Sequence, residues 1–191
     1  GIMLSSAVKK YADYYGVICG KKIVFFTNND TAYESAISLF KKGIKVQAII
    51  DIREKSESSI IKQAEDLGIK IYWSHTVVDT YGYKKLKQIS IMKLSKDSQS
   101  VIDSKTDIDC DCLGMAGGWT PAVHLFTQSG GKLKFRDKDQ VFIPNKYPSR
   151  QISIGSCNGD FELDEIVRNT SDNLKKFLEI DKTDYENLSV V

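Results

Sequence analysis

Two short stretches carry residue types suited to an anionic nucleotide. One is the polar turn Thr27-Asn28-Asn29-Asp30-Thr31; the other is Asp51, followed by Ile52 and Arg53. Where a strand turns into a helix, the helix N-terminus can take a pyrophosphate, and an acid about 20 residues further on can take the ribose hydroxyls. Thr27, Asn28, Asn29 and Thr31 offer hydroxyl and amide groups for the first task, and asparagine tolerates the left-handed backbone of such turns. Asp51 suits the second and favours NAD over NADP, a preference that Arg53 blurs. Against this, the turn holds no glycine, so side chains fill the space a pyrophosphate needs, and Asp30 sets a negative charge beside it. A nucleotide site and a domain of the same shape without a ligand both stay open here. So does a solvated loop role for Asp51.

These residues need a strand, a helix and a second strand to position them. Lys22 to Phe26 is a short apolar run. Thr31 to Lys42 has Ala32, Ala36, Leu39 and Phe40 at the spacing of one buried helix face, and Gly43 stops it. Lys45 to Ile50 is a second apolar run that ends on Asp51. The order implies a right-handed βαβ unit with parallel strands. A second helix from Ser58 to Leu67, stopped by Gly68, leads to a third parallel strand, Ile69 to Trp73. Ahead of this core, Met3 to Tyr15 reads as a helix ended by Gly16, with Val8, Tyr11, Ala12 and Tyr15 along one side.

After Ser74 the period changes. His75 to Tyr81 and Lys85 to Leu94 alternate and meet at Gly82, and a third run from Gln99 to Ser104 completes an antiparallel β-meander. Asp109 to Ala116 is a strand of small residues, running into the turn Gly117-Gly118-Trp119-Thr120-Pro121. A helical turn over Val123 to Gln128 follows, then a hairpin of Lys132 to Phe135 and Gln140 to Ile143, and a loop bracketed by Pro144 and Pro148. Gln151 to Ile154 reads as a strand, and Phe161 to Leu178 as a helix with an N-cap at Asp160. The residues from Asp181 on have no period and are expected to fray.

With 191 residues and 41% hydrophobic content the chain can bury a real core. A net charge of +2 gives no argument for nucleic acid. From Asp160 on, nine acids face four bases, which reads as a solvated tail. Cys19, Cys110, Cys112 and Cys157 form no C-x-x-C pair, and with only His75 and His124 present no zinc site is implied. Alternation about Asp111 puts the Cys110 and Cys112 thiols on one face, as buried thiols of a reducing cytoplasm. No run reaches the about 20 apolar residues of a membrane span, so no membrane partner is expected. Gly1-Ile2-Met3 reads as an artificial start, and hence the chain as a piece of a longer one. The two histidines lack a Ser or Cys nucleophile in a motif, and Trp73 and Trp119 read as packing residues rather than ring-stacking ones.

The order of elements resembles the flavoprotein disulfide reductases, thioredoxin reductase among them, in which an inner pyridine-nucleotide domain interrupts an outer one. A closer resemblance is to the α subunit of heterotetrameric sarcosine oxidase. It is carried by Tyr14 to Val17, Phe26 to Tyr33, Asp51-Ile52-Arg53 and the long string from Gly117 to Leu133. The fold implied is α/β: a Rossmann-like parallel βαβ core with an antiparallel β-meander, followed by a returning segment of an outer FAD/NAD-type domain. The implied divisions are a connecting helix over 1–16, the inner domain over 17–109, the returning segment over 110–170 and a tail over 171–191.

The resemblance implies oxidative demethylation of sarcosine to glycine by the parent enzyme. NAD would be held in the α subunit, FAD and FMN elsewhere in the complex, and the rest of the α subunit and the other subunits would be the partners. It adds Gly117, Gly118, Gly155 and Ser156 to the expected cofactor contacts. Ser156 stands where the disulfide reductases carry an acid against FAD, which argues against FAD there and leaves a hydroxyl suited to NAD. Two other readings stay open: the nucleotide domain of a flavin-dependent disulfide reductase, and a docking domain that binds nothing.

Overall fold

A computed structural model describes residues 1–148 and 151–178. The chain divides into two compact units, Gly1–Gly118 and Trp119–Val191.

The first unit is built on a five-stranded parallel sheet. Its strands are β1 (Ile2–Leu4), β2 (Ile23–Thr27), β3 (Val46–Asp51), β4 (Ile71–Trp73) and β8 (Cys112–Ala116), in the order β1-β8-β2-β3-β4. Helices α1 (Ser5–Tyr15), α2 (Thr31–Lys41) and α3 (Ser59–Asp66) bury Val8, Ala36, Leu39 and Ile61 against Ile23, Phe25, Ile49 and Cys112 of the sheet. A meander of β5 (His75–Tyr81), β6 (Gln88–Lys93) and β7 (Thr106–Asp109) closes the other face, where Ile89, Ile91 and Leu86 meet Val24, Ala48, Ile50 and Leu113. Covered on both faces, the sheet strands read as continuous apolar runs, the pattern of buried parallel strands. Ser58 caps α3 by accepting from the Ile61 amide at 3.4 Å.

Several boundaries differ from the sequence reading. Met3 and Leu4 are strand, because Met3 pairs with Gly114 and Leu4 with Met115 before the chain turns into α1. Three residues are too few for a period to show. The first compact unit runs to Gly118, since β8 lies between β1 and β2 in the sheet and α1 packs on that same core. The third meander strand is Thr106–Asp109, paired with Gln88–Ile91, while of the expected run from Gln99 to Ser104 only Val101 pairs, as an isolated antiparallel bridge to Leu94 just past β6. The bridge is closed by a turn in which the Asp97 carboxylate accepts from the Gln99 amide at 3.1 Å. Phe40, expected in the core, is partly exposed, whereas Tyr33, Ser35 and Ile37 are buried. α2 lies on the sheet with α1 and α3 as neighbours, so it buries more than one stripe.

Cys110 and Cys112 do not share a face. Between them the Asp111 carboxylate accepts the backbone amides of Lys21 at 2.8 Å and Lys22 at 2.7 Å. The chain breaks step there, ahead of β8. Cys110 joins the meander side of the core and Cys112 the helix side.

The second unit holds α4 (His124–Gln128), the hairpin β9 (Lys132–Arg136) and β10 (Val141–Lys146), a 3-10 turn at Gly155–Asn158, and α5 (Leu163–Leu178). Pro144 lies within β10 opposite Leu133 instead of opening a loop. Gln151 to Ile154 joins no sheet among the described residues. α5 begins at Leu163 and Asp160 does not cap it; the Asp160 amide instead donates to the Gly155 carbonyl at 3.2 Å. The expected fraying from Asp181 on lies outside the described residues.

Candidate functional site

The carboxyl edge of the parallel sheet gathers seven of the nine expected contacts: Thr27, Asn28, Asn29, Thr31, Asp51, Gly117 and Gly118. In open α/β sheets this edge is where ligands bind. β2 delivers Thr27, β3 delivers Asp51, β8 runs into Gly117, and α2 starts at Thr31. Gly155 and Ser156 belong to the second unit, where Gly155 is buried with φ +68° and Ser156 is exposed on the 3-10 turn.

The turn is closed by its own side chains. The Thr27 hydroxyl accepts the Asn29 amide at 3.0 Å and donates to the Asn29 carbonyl at 2.7 Å. The Asn29 side-chain oxygen accepts the Thr31 amide at 2.9 Å and also the Thr31 hydroxyl. One of the first donors of α2 is thus taken from within the turn. Asn28 reaches across to β8, donating to the Gly117 carbonyl at 3.1 Å, and the Asn29 side-chain nitrogen donates to Asn28 at 2.8 Å. Gly118 has φ +98°, and a Cβ there would stand 3.7 Å from the Asn28 side chain. Glycine here sets the course of the chain past the turn.

Asp51 is fully buried and already occupied. Its carboxylate accepts the Tyr33 hydroxyl at 2.8 Å, the Arg53 backbone amide at 2.9 Å, and the Arg53 guanidinium through Nε at 3.1 Å and Nη2 at 2.8 Å. No exposed edge of this carboxylate faces a ribose. Arg53 Nη2 also donates to Asp30 at 2.8 Å, tying the turn to the end of β3. Burial opposes the Arg53 charge, but its hydrogen bonds to Asp51 and then to Asp30 outweigh it and push its pKa above the usual arginine value. Burial first, and then the bond to Asp51, raises the Tyr33 phenol well above the ordinary tyrosine range.

Sequence reasoning missed Tyr33 and the pairing of Arg53 with both acids. The three charges of Asp30, Asp51 and Arg53 were visible, but only the fold brings the turn and the strand end together. Tyr33 follows Thr31 at a position outside the expected apolar stripe, so nothing marked it as buried. Trp73 is partly buried against the helix side of the core, as a packing residue, and there it also stacks on Tyr33, with ring centroids 6.3 Å apart. Trp119, expected to pack on its turn, is 59% exposed. His75 Nδ1 lies 2.6 Å from the Trp73 carbonyl, and His124 is exposed at the start of α4. Among the described residues no group of three His, Cys, Asp or Glu could hold a metal, and no helix is long and apolar enough to cross a membrane.

The architecture is an α/β fold, a parallel sheet with helices and added antiparallel strands, that is shared with solved flavoprotein disulfide reductases. The chain superposes on the thioredoxin reductase of T. acidophilum with a TM-score of 0.58 at 17% identity, over 93% of this chain and 55% of that one. The flavoprotein disulfide reductase RclA of Escherichia coli gives a TM-score of 0.57 at 12% identity, over 86% of this chain and 37% of that one. At these identities the likeness is one of fold alone.

In sequence, the chain is similar to sarcosine oxidase subunit alpha and fits a fragment of that subunit. It is 33% identical over 164 residues to the protein of Corynebacterium sp. (strain P-1), across 85% of this chain and 16% of the relative. The protein of Rhizobium meliloti (strain 1021) is 29% identical over 164 residues, across 82% of this chain and 15% of the relative. The chain therefore spans about one sixth of the length of the relatives it matches. No family model matches the chain.

Proposed function

We propose that this chain supplies a dinucleotide-binding-type domain to a sarcosine oxidase α subunit and acts there as scaffold. The parent enzyme carries out the oxidative demethylation of sarcosine to glycine, with oxygen as acceptor. It works in the cytoplasm with the remainder of the α subunit and the other subunits as partners. NAD is the cofactor of the parent α subunit, and FAD and FMN belong to the wider complex. The observation that carries the scaffold reading is the closed turn: Asn29 and Thr27 take the donors, and Arg53 covers the acid, that a nucleotide would use. Thr27, Asn28, Asn29, Thr31, Asp51, Gly117 and Gly118 thus keep the position of a nucleotide edge while bonding to one another. Ser156, exposed beside Gly155, offers its hydroxyl to NAD in the parent. No bond-making step is assigned to this chain. The disulfide-reductase alternative is disfavoured because the sequence has no C-x-x-C pair to reduce.

Calorimetric titration of the chain with NAD, repeated with FAD, tests this reading. The expected result is no binding heat at the turn with either ligand. Micromolar NAD binding that Asn28→Ala weakens would overturn the scaffold reading and make the turn a working site.

A further inference from the structure

In the first unit the sheet and its helix layer stop together at β1, and both stop on apolar groups. Among the described strands β1 pairs with β8 on one side only, so it is an edge of the sheet. The Leu113 amide donates to the Gly1 carbonyl at 2.8 Å. Alternate residues of a parallel strand serve one neighbour, so Met3 bonds toward β8, and Ile2 and Leu4 turn backbone groups to the open side. Such an edge is ready to take another strand, and proteins commonly blunt it with charge or proline. Here it carries Ile2 and Leu4, 56% and 65% exposed. Met3 packs on the helix side of the core. By alternation Ile2 and Leu4 lie on the other face. There Ile2 and the hairpin over 80–86 border a hollow of about 220 Å³.

α1 ends the helix layer in the same way. One flank is tied to α2, where the Asp13 carboxylate meets Lys42 at 3.0 Å and the Ser38 hydroxyl at 3.3 Å. Val8 and Ala12 face the core. At about 3.6 residues per turn, Ala7, Tyr11, Tyr14 and Tyr15 fall together on the remaining flank, away from α2. The sequence reading set Tyr11 and Tyr15 on one side with Val8 and Ala12; the structure keeps only the latter two inside. Tyr11, Tyr14 and Tyr15 are 45%, 81% and 65% exposed. The rings of Tyr11 and Tyr15 lie 5.8 Å apart, and Lys10 stands at the rim of the flank, 5.9 Å from the Tyr14 ring. Tyrosines at the centre with charge at the rim are the composition of a protein contact.

We propose that this end of the first unit docks another part of the parent α subunit. An extended apolar segment of that subunit lies along β1 as a further strand, and the residues flanking it cover the three tyrosines. The inference rests on the reading of this chain as a domain of that subunit. Main-chain bonds supply the hold and alternate side chains the selection, as in other strand additions. Two observations choose the occupant. The chain spans 16% of the relative from Corynebacterium sp. (strain P-1), so most of such a subunit lies outside it. Being covalently joined, that polypeptide reaches the edge at an effective concentration of about 1 mM, as a separate subunit does not. β1 is also only three residues long, a short edge that holds a tethered segment more readily than a free one.

The test sets this chain in the Corynebacterium α subunit in place of the matching 164 residues. A photo-crosslinking phenylalanine analogue replaces Tyr11 in one sample and Tyr15 in another. After irradiation, mass mapping is expected to find crosslinks to α-subunit peptides outside this chain. Crosslinks to another subunit or to a second copy, or none in the folded graft, overturn the proposal. These crosslinks form within one polypeptide, so they are read whether or not the other subunits assemble. A folded graft that does not assemble with those subunits overturns the functional reading instead.

Two measurements need no crosslink. In the 191-residue chain alone, the paired variant Tyr11→Glu with Tyr15→Glu is expected to keep the urea midpoint of the parent chain. A lowered midpoint would place this flank against the chain's own residues and overturn the proposal. The Leu4 amide is expected to exchange at least about tenfold more slowly in the graft than in the chain alone. Equal rates would show an edge left open in the subunit, and no added strand.

Discussion

Tyr33 and Asp51 meet through one hydrogen bond of 2.8 Å, with both side chains sealed from water at the end of β3. The carboxylate is charged only at the expense of its hydration, and Arg53 with the phenol replaces the lost water. Removing one member of such a set costs more than the set itself contributes, because the others are left buried and unmatched. Tyr33→Phe leaves Arg53 in place and is expected to cost about 1–2 kcal/mol. Asp51→Ala strands the guanidinium and the phenol together and is expected to cost about 3–5 kcal/mol. Urea denaturation of the two variants at pH 7 checks the order; equal losses would show that Asp51 does not organise the group.

The same pair sets a dependence on alkaline pH. The folded-state pKa of Tyr33 lies above its ordinary value, so the folded chain holds the phenolic proton more tightly than the unfolded chain does. The corresponding stability is fully present below the unfolded value of about 10 and is lost as pH rises beyond it. Stability profiles from pH 8 to 11 for the parent chain and Tyr33→Phe are expected to converge above pH 10. Parallel profiles would remove Tyr33 from the account.

Much of the first unit was legible because its signals are local. β2, α2, β3 and α3 were set by short apolar runs, by glycines at helix ends and by Ser58 as a cap. What escaped depends on contacts far apart in sequence. β1 is three residues that become strand only beside β8. Cys110 and Cys112 separate because Asp111 is drawn to the amides of Lys21 and Lys22, about ninety residues away. At the site, the residue types were readable and their engagement was not. Asp51 looked like a ribose acid until Tyr33 and Arg53 were seen to occupy it, and the missing glycines acquired a cause once Asn29 was found bonded to Thr31.

The two central cysteines are expected to be inert in the folded chain. Burial pushes both the Cys110 and the Cys112 thiols up to about 11, so the reactive thiolate is scarce at neutral pH. Cys19 and Cys157 are only half-buried. With an aromatic disulfide reagent at pH 8, Cys19 and Cys157 react first, and Cys110 and Cys112 react at the rate of global unfolding. Mass mapping after partial labelling checks this, and early label on Cys112 would show that the helix side of the core opens locally.

Gly82 is the position where an added methyl group has least room. Its φ is +147°, and a Cβ would fall 1.9 Å from the Lys85 carbonyl oxygen, a backbone atom that cannot swing aside. Gly82→Ala is expected to cost about 2–4 kcal/mol, through backbone strain and clash at the junction of β5 and β6. The cost concerns the meander, which covers one face of the sheet through Ile89 and Ile91. Amide exchange in β5 and β6 should therefore quicken more than in β2 or β3. Uniform quickening would mean that the meander and the sheet open as one.

Asn29→Ala tests the closed turn without touching the buried charges. The substitution removes the oxygen that accepts the Thr31 amide and hydroxyl, leaving the first turn of α2 without this cap. Loss of such a cap is expected to cost about 1 kcal/mol. Asn29→Asp keeps an acceptor at the same place and adds a negative charge near the helix N-terminus, where the helix dipole favours it. It should retain most of the stability that alanine loses, offset in part by repulsion from Asp30. If alanine and aspartate lose the same amount, the turn is held by Thr27 and the Arg53–Asp30 pair, and Asn29 is incidental to it. If only alanine loses stability, the side-chain oxygen of Asn29 is the group that stands in for an external anion at the start of α2.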